Sequence, residues 1–198
     1  MARYPTPGKV KTRLAAEIGP HRAATLYRRW LRQLAREFSH APFHVEWRFT
    51  PSRAPFRRVT RCPGAAYRPQ PPGNLGHRLT TIVADSFAAG YRRVIVIGTD
   101  CPLMTRTTIM RAFRLLHRYP VVIQPTDDGG YALIGLTAPF DLFRDIAWST
   151  DRVMEQTRQR LRQLNLSWRE LPSTFDIDTR ADLDRWRALQ RGLNRSTR

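Results

Sequence analysis

Arg92-Arg93-Val94-Ile95-Val96-Ile97-Gly98-Thr99-Asp100-Cys101-Pro102 decides how the chain is read. Four consecutive β-branched apolar residues, Val94 to Ile97, predict a strand buried on both faces. The strand stops at Gly98, and an acid follows two residues later, ahead of a Cys-Pro break. In an open α/β sheet, ligands gather beyond the carboxyl ends of the strands. A carboxylate placed there can hold a divalent cation, and the cation a phosphate. The plainer alternative is that Asp100 caps a turn or the next helix. This stretch alone leaves both readings open.

At 198 residues the chain is long enough for one domain with a substantial core. A hydrophobic content of 41% and a charged content of 25% fit a soluble globular protein. No run approaches the roughly 20 apolar residues of a membrane span. Met1-Ala2-Arg3-Tyr4-Pro5 lacks the apolar core of a signal peptide. Cys62 and Cys101 show no metal-ligand spacing, and reduced thiols in a cytoplasmic protein are the simplest reading. The net charge of +18 would suit a polyanion such as nucleic acid or an acidic membrane surface. Its distribution argues otherwise. The basic residues are scattered and almost all Arg, Lys9 and Lys11 being the only lysines. There is no block of like charge, no interleaving of aromatics with Arg and no zinc-finger spacing.

Tyr4-Pro5-Thr6-Pro7-Gly8-Lys9-Val10-Lys11-Thr12-Arg13-Leu14 predicts a stiff turning loop feeding a helix over 9–17, which Gly19-Pro20 closes. Lys11 and Arg13 near a helix start, beside free backbone N–H groups, can make an anion site; an ordinary solvated basic turn is the alternative. A phosphate loop of this kind normally follows a buried strand. Only residues 1–4 precede it, so we expect the first strand to be missing and Met1 to be internal to a longer natural protein. Over 21–38, Leu26, Trp30, Leu34 and Phe38 step by four and predict a helix with an apolar face. Residues 43–49 alternate as a half-buried strand, and 51–63 read as a connection with one short helix. Near Tyr67 a short strand runs into Gln70-Pro71-Pro72-Gly73-Asn74-Leu75-Gly76, with Asn74 the N-cap of the next helix. Gln70 carries the amide that reads a base edge, and Gly76 allows close approach; a plain turn is the alternative.

A helix over 106–118 leads to the strand Val121-Val122-Ile123-Gln124-Pro125, then Asp127-Asp128-Gly129-Gly130 before a second apolar run. That loop is either a hairpin turn or a substrate loop at the carboxyl edge. Trp148 either lines an acceptor pocket or packs. Ser149 or Thr150 would cap a helix over 152–164. Asp178 ends an extended segment just before a helix near Arg180, and Asp182 supports that helix's first turn. Alternating strands and helices predict one three-layer α/β domain over 1–191, followed by a frayed basic tail over 192–198.

These motifs stand in the order of a known family. The chain resembles the glycosyltransferase-like proteins linked to arsenosugar biosynthesis, also called radical-SAM/selenodomain-associated transferases. That family is similar to the GT-A-type nucleotide-diphosphosugar transferases and to the molybdenum-cofactor and phospholactate nucleotidyltransferases. The likeness spans 2–183. It implies a Rossmann-like GT-A fold with a mostly parallel sheet, a Mg²⁺ or Mn²⁺ ion, a nucleotide-activated donor and a small-molecule acceptor. Carried over residue by residue, Asp100 and Asp178 are the metal ligands. Pro7, Gly8, Lys11 and Arg13 bind phosphate, and Gln70 and Gly76 serve the base. Asp127, Asp128, Gly129, Gly130 and Trp148 lie on the acceptor side, with Asp127 or Asp128 a candidate general base or acceptor anchor. Asp100, Lys11 and Asp128 are the implied catalytic set. The expected reaction is glycosyl transfer, with nucleotidyl transfer releasing pyrophosphate as the alternative. An Arg-rich nucleic-acid-binding protein on an inactive transferase fold is the rival of a different class.

Overall fold

The computed structural model describes residues 1–196. Strands and helices alternate. In chain order they are β1 (Ala2–Arg3), α1 (Thr12–Ile18), α2 (Pro20–Phe38), β2 (Glu46–Thr50), α3 (Arg57–Thr60), β3 (Ala66–Pro69) and α4 (Leu75–Ala88), then β4 (Val94–Ile97), α5 (Arg106–Leu115), β5 (Val121–Pro125), β6 (Tyr131–Leu136), α6 (Val153–Gln163), β7 (Trp168–Glu170) and α7 (Arg180–Ser196). The tail expected over 192–198 runs into Thr197 and Arg198, which lie outside the described residues.

Local chemistry fixes most helix starts. Pro20 opens α2 behind Gly19, where its missing N–H costs nothing. One stripe of α2 (Ala23, Tyr27, Trp30, Leu34 and Phe38) is buried. Asn74 caps α4 as its residue type predicts, its Oδ1 accepting the His77 N–H at 2.9 Å. Thr105 does the same for α5, accepting from Thr108 N–H at 3.1 Å. The start of α6 differs from expectation. Its N-cap is Arg152, with no side-chain cap. Thr150 Oγ1 receives the Arg152 N–H at 3.3 Å and donates to the Ala147 carbonyl at 2.7 Å. The Met154 N–H goes instead to the carbonyl of Gly129, 2.8 Å away in the β5–β6 loop.

Strands β1, β2 and β3 pair in parallel, in that order. The second group runs β4-β6-β5-β7, with β6 antiparallel to β4 and β5 while β5 and β7 are parallel. In place of a full first strand there is a two-residue β1. It joins the two groups: the Met1 amine donates to the Ile97 carbonyl at 2.7 Å, and Thr99 Oγ1 donates to the Met1 carbonyl at 3.3 Å. Beyond that stub a cavity of about 160 Å³ lies between β2 and β4. Val94 to Ile97 are therefore half-buried, not fully buried as their composition predicts. All four line that cavity.

Alternation along the strands sorts the core into two faces. Val122 and Leu133 pack with residues of α1, α2 and α5, including Leu14, Trp30 and Ile109. Val121, Ile123, Ile134 and Leu136 pack with Leu79 and Val83 of α4 and Met154 and Leu161 of α6. The result is the expected three layers, with the strand ends free to carry loops.

Gly129 is the tightest point of that arrangement. Its φ is +84°, and a Cβ there would sit 1.9 Å from the Asp151 carbonyl oxygen. We expect Gly129→Ala to cost about 2 kcal/mol or more, because left-handed strain and a backbone clash add. Urea unfolding should show a lower midpoint with an unchanged slope.

Candidate active site

The loops after β1, β4 and β7 converge at the carboxyl edge of the sheet. The loop leaving β4 meets the segment before α7 through one backbone bond, Ile177 N–H to the Asp100 carbonyl at 3.1 Å. Ile177 is fully buried, so its extended backbone turns Asp176 and Asp178 to the opposite side together. Asp178 is held from behind by a capping box: Thr179 Oγ1 accepts the Asp182 N–H, while Asp182 Oδ2 accepts the N–H groups of Thr179 and Asp178 at 2.8 and 3.1 Å. Asp182 thus supports the helix, as its place predicted.

Lys11 closes the cluster. Its backbone is left-handed, with φ 48° and ψ 50°, at the N-cap of α1. That conformation is uncommon for a residue with a Cβ. The side chain runs over the Trp30 ring, 5.8 Å from its centroid, into the protein. Nζ lies 2.5 Å from Asp100 Oδ1 and 3.1 Å from Asp178 Oδ1. The two acids are thus within one cation's span. Arg13 stands farther out, 3.7 Å from Asp178 Oδ2. Burial opposes the Lys11 charge, but attraction to Asp100 and Asp178 outweighs it and raises the pKa above the ordinary lysine value. Beneath, Tyr27 shares a 2.7 Å hydrogen bond with Thr99, and burial together with the Asp100 charge pushes its phenol up to about 12.

Asp176 belongs to the same cluster and was not singled out from the sequence. Burial, then repulsion from Asp100, Asp128 and Asp178, pushes its carboxyl up to about 7 against the attraction of Lys11. The signal that would have found it is the Asp-Ile-Asp alternation, which puts both acids on one side of an extended segment.

The remaining candidates are placed as follows. Pro7 and Gly8 form an exposed turn closed by Lys9 N–H to the Thr6 carbonyl at 3.1 Å. The donors of Gln70 are both occupied, by the carbonyls of Ala2 at 3.0 Å and Arg48 at 3.1 Å, and its Oε1 accepts from Arg78. In this state it ties strands together and offers a base no free N–H. Gly76 makes room for Trp148, whose Nε1 a Cβ would meet at 2.5 Å. Trp148 itself is half-buried and packs edge-on against Tyr131. Asp127 is paired with Arg185 at 2.8 Å and receives the Ser173 hydroxyl, and these bonds hold its pKa below the usual range. Asp128 is exposed and accepts the Thr126 hydroxyl at 2.6 Å and the Gly130 N–H at 3.2 Å through Oδ1. The β5–β6 loop is thus both a hairpin turn and a loop at the carboxyl edge.

Among the described residues no three His, Cys, Asp or Glu side chains form a metal cage. The Asp100–Asp178 pair nevertheless already grips one cation, the Lys11 ammonium. Magnesium commonly takes one or two protein carboxylates and fills its other positions with water and substrate phosphate. The donor set fits such an ion on those terms.

The buried acid gives a pH test in metal-free buffer. The carboxyl of Asp176 rises from 3.8 to about 7 on folding, so between those values the native state binds the extra proton and stability falls as pH rises. Asp176→Asn should be more stable than the unchanged protein at pH 8. The gain should shrink to less than half at pH 5 and vanish only below the unfolded carboxyl's 3.8. Chemical unfolding at both pH values checks this.

No curated protein matches the chain. Among solved structures, one from Desulfovibrio desulfuricans G20, provisionally assigned as a nucleotide-diphospho-sugar transferase, is 31% identical. It superposes with a TM-score of 0.83 over 89% of this chain and 79% of that one. A cytidylyltransferase from Leptospira borgpetersenii is 12% identical, with a TM-score of 0.55 over 89% and 75% of the two chains. CMP:2-keto-3-deoxy-manno-octonic acid synthetase, solved with CTP, is also 12% identical, with a TM-score of 0.52 over 84% and 88%. These last two share the fold. Residues 32–150 match the family described as "Uncharacterized protein conserved in bacteria (DUF2064)", and the chain belongs to that family.

Proposed function

We propose that the protein is a cytoplasmic, metal-dependent transferase that moves a sugar from a nucleotide-diphosphosugar donor to a small-molecule acceptor. One observation carries the reading: Asp100, Asp178 and Lys11 meet at the carboxyl edge, where this fold class receives its ligands. The 31% identity with a structure provisionally assigned as a nucleotide-diphospho-sugar transferase favours sugar transfer. Two buried free thiols suit a reducing compartment, and among the described residues no helix is long and apolar enough to cross a membrane. The arsenosugar association rests on the motif order from the Pro5-Thr6-Pro7-Gly8 loop to Asp178.

Asp100 and Asp178 would hold the Mg²⁺ or Mn²⁺ ion. When bound, such an ion offsets charge building on the leaving diphosphate. Lys11 and Arg13 add fixed positive charge at that place. The acceptor hydroxyl attacks the anomeric carbon, the bond to the nucleoside diphosphate breaks, and the hydroxyl proton must be taken up. Asp128 is the base for that role: it is exposed, and Oδ2 is left over once Oδ1 has met Thr126 and Gly130. Gly129 and Gly130 would serve the acceptor side by letting the loop that carries Asp128 pack closely, Gly129 against the Asp151 backbone and Gly130 against Thr126, and Trp148 would wall the acceptor's place.

The alternative is nucleotidyl transfer, in which a substrate phosphate attacks the α-phosphorus of a nucleoside triphosphate and pyrophosphate leaves. The shared fold of the two cytidylyl-transferring structures favours it. Incubation with nucleotide sugars and with triphosphates, each with Mg²⁺ or Mn²⁺, separates the two by product. We expect a nucleoside diphosphate; pyrophosphate would overturn sugar transfer. Asp100→Ala should lower turnover by about a hundredfold or more. Unchanged function in that variant, with steeply salt-dependent binding to nucleic acid, would favour the Arg-rich binding protein instead.

A further inference from the structure

Most surface acid pairs draw a counter-ion from solvent. Here it comes from inside the protein. The side chains of Asp100 and Asp178 are 50% and 38% exposed, yet the Lys11 side chain between them is 2% exposed. Lys11 approaches from beneath, guided by the left-handed turn at the start of α1 and by the Trp30 face. It takes the Oδ1 atom of each acid. Arg13 lies over the remaining oxygen of Asp178 at 3.7 Å. The acid pair is therefore largely neutralised before any ligand arrives. A divalent cation entering from solvent meets an ammonium already in contact with both of its ligands.

We propose that Lys11 is a resident stand-in for the metal, so that divalent-cation binding requires the ammonium to leave the acid pair, and the donor's phosphates supply its new partner. This deepens the transferase reading and rests on it. Charge balance gives the reason. A bare divalent cation would have to displace a buried ammonium from the carboxylates within ion-pair distance of it, which among the described residues are Asp100 and Asp178. A diphosphate changes that, because its oxygens can receive the displaced ammonium while they also bind the cation. Cation and nucleotide should then bind together, each strengthening the other by the same factor. Lys11 thus acts as a positioning group in the free protein and becomes a phosphate ligand in the loaded one.

The test reads binding, with Mn²⁺ alone as probe and the free Mn²⁺ electron paramagnetic resonance signal as readout. Lys11→Met should bind Mn²⁺ about tenfold or more tightly than the unchanged chain, since a competing positive charge has gone. Adding Asp100→Asn should abolish the gain. Equal affinity in the unchanged chain and Lys11→Met would overturn the stand-in role and leave the metal reading intact. No binding by either, with or without a nucleoside diphosphate, would overturn both. A measurement on the unchanged chain guards against a variant that does not fold. With only Lys9 and Lys11 present, acetic anhydride should modify Lys9 and spare Lys11. Saturating Mg²⁺ with a nucleoside diphosphate should change Lys11 labelling severalfold, whereas Mg²⁺ alone should not. Release of Lys11 by Mg²⁺ alone would overturn the coupling.

Discussion

A buried ammonium must be paired, and Lys11 is paired twice. Taking its charge out of water is costly, and the carboxylates of Asp100 and Asp178 are the main offset to that cost. The requirement ties three distant parts of the chain to one point. Neither the loop before α1, the turn after β4 nor the extended segment before α7 can drift without leaving a charge unmatched. Because both acids are half open to water, breaking the contact should cost nearer about 3 kcal/mol than the upper range for a sealed pair. That is a large share of the stability of an ordinary domain.

The sheet brings those three parts within reach. Apart from β6 the strands of each group are parallel, and the loops that follow β1, β4 and β7 collect at one edge. The fold also stiffens each loop from behind. Thr99 is tied to Tyr27 and to the Met1 carbonyl. Thr126 bridges to Thr174, whose carbonyl receives the Asp127 N–H at 2.9 Å. The Gly129 carbonyl begins α6. Such a scaffold holds polar groups in place before substrate binds, which is what electrostatic stabilisation of a leaving group requires.

Much of this was legible in the chain itself. The apolar run Val94 to Ile97, the four-step stripe of α2, the Asn74 cap and the acid at 100 all follow from local rules that the fold obeys. What escaped depends on partners far away in sequence. Asp176 looks like any acid beside a helix until Ile177 is seen to be buried and Asp100 to stand opposite. The contact of Lys11 with both acids is equally hidden, because spacing cannot tell which way a left-handed residue throws its side chain. Gln70 has the groups to read a base, yet its donors go to Ala2 and Arg48, two carbonyls no local pattern would name. The half-burial of β4 depends on how little of β1 lies beside it.

The Lys11 contact can be observed directly, since the chain holds two lysines. Selective ¹⁵N-lysine labelling yields one side-chain ammonium resonance from Lys9 and one from Lys11. The account predicts that Lys11 gives a slowly exchanging signal that persists to higher pH than that of Lys9 and moves in Asp100→Asn. Two signals that exchange rapidly, titrate alike and ignore the Asp100 change would contradict it.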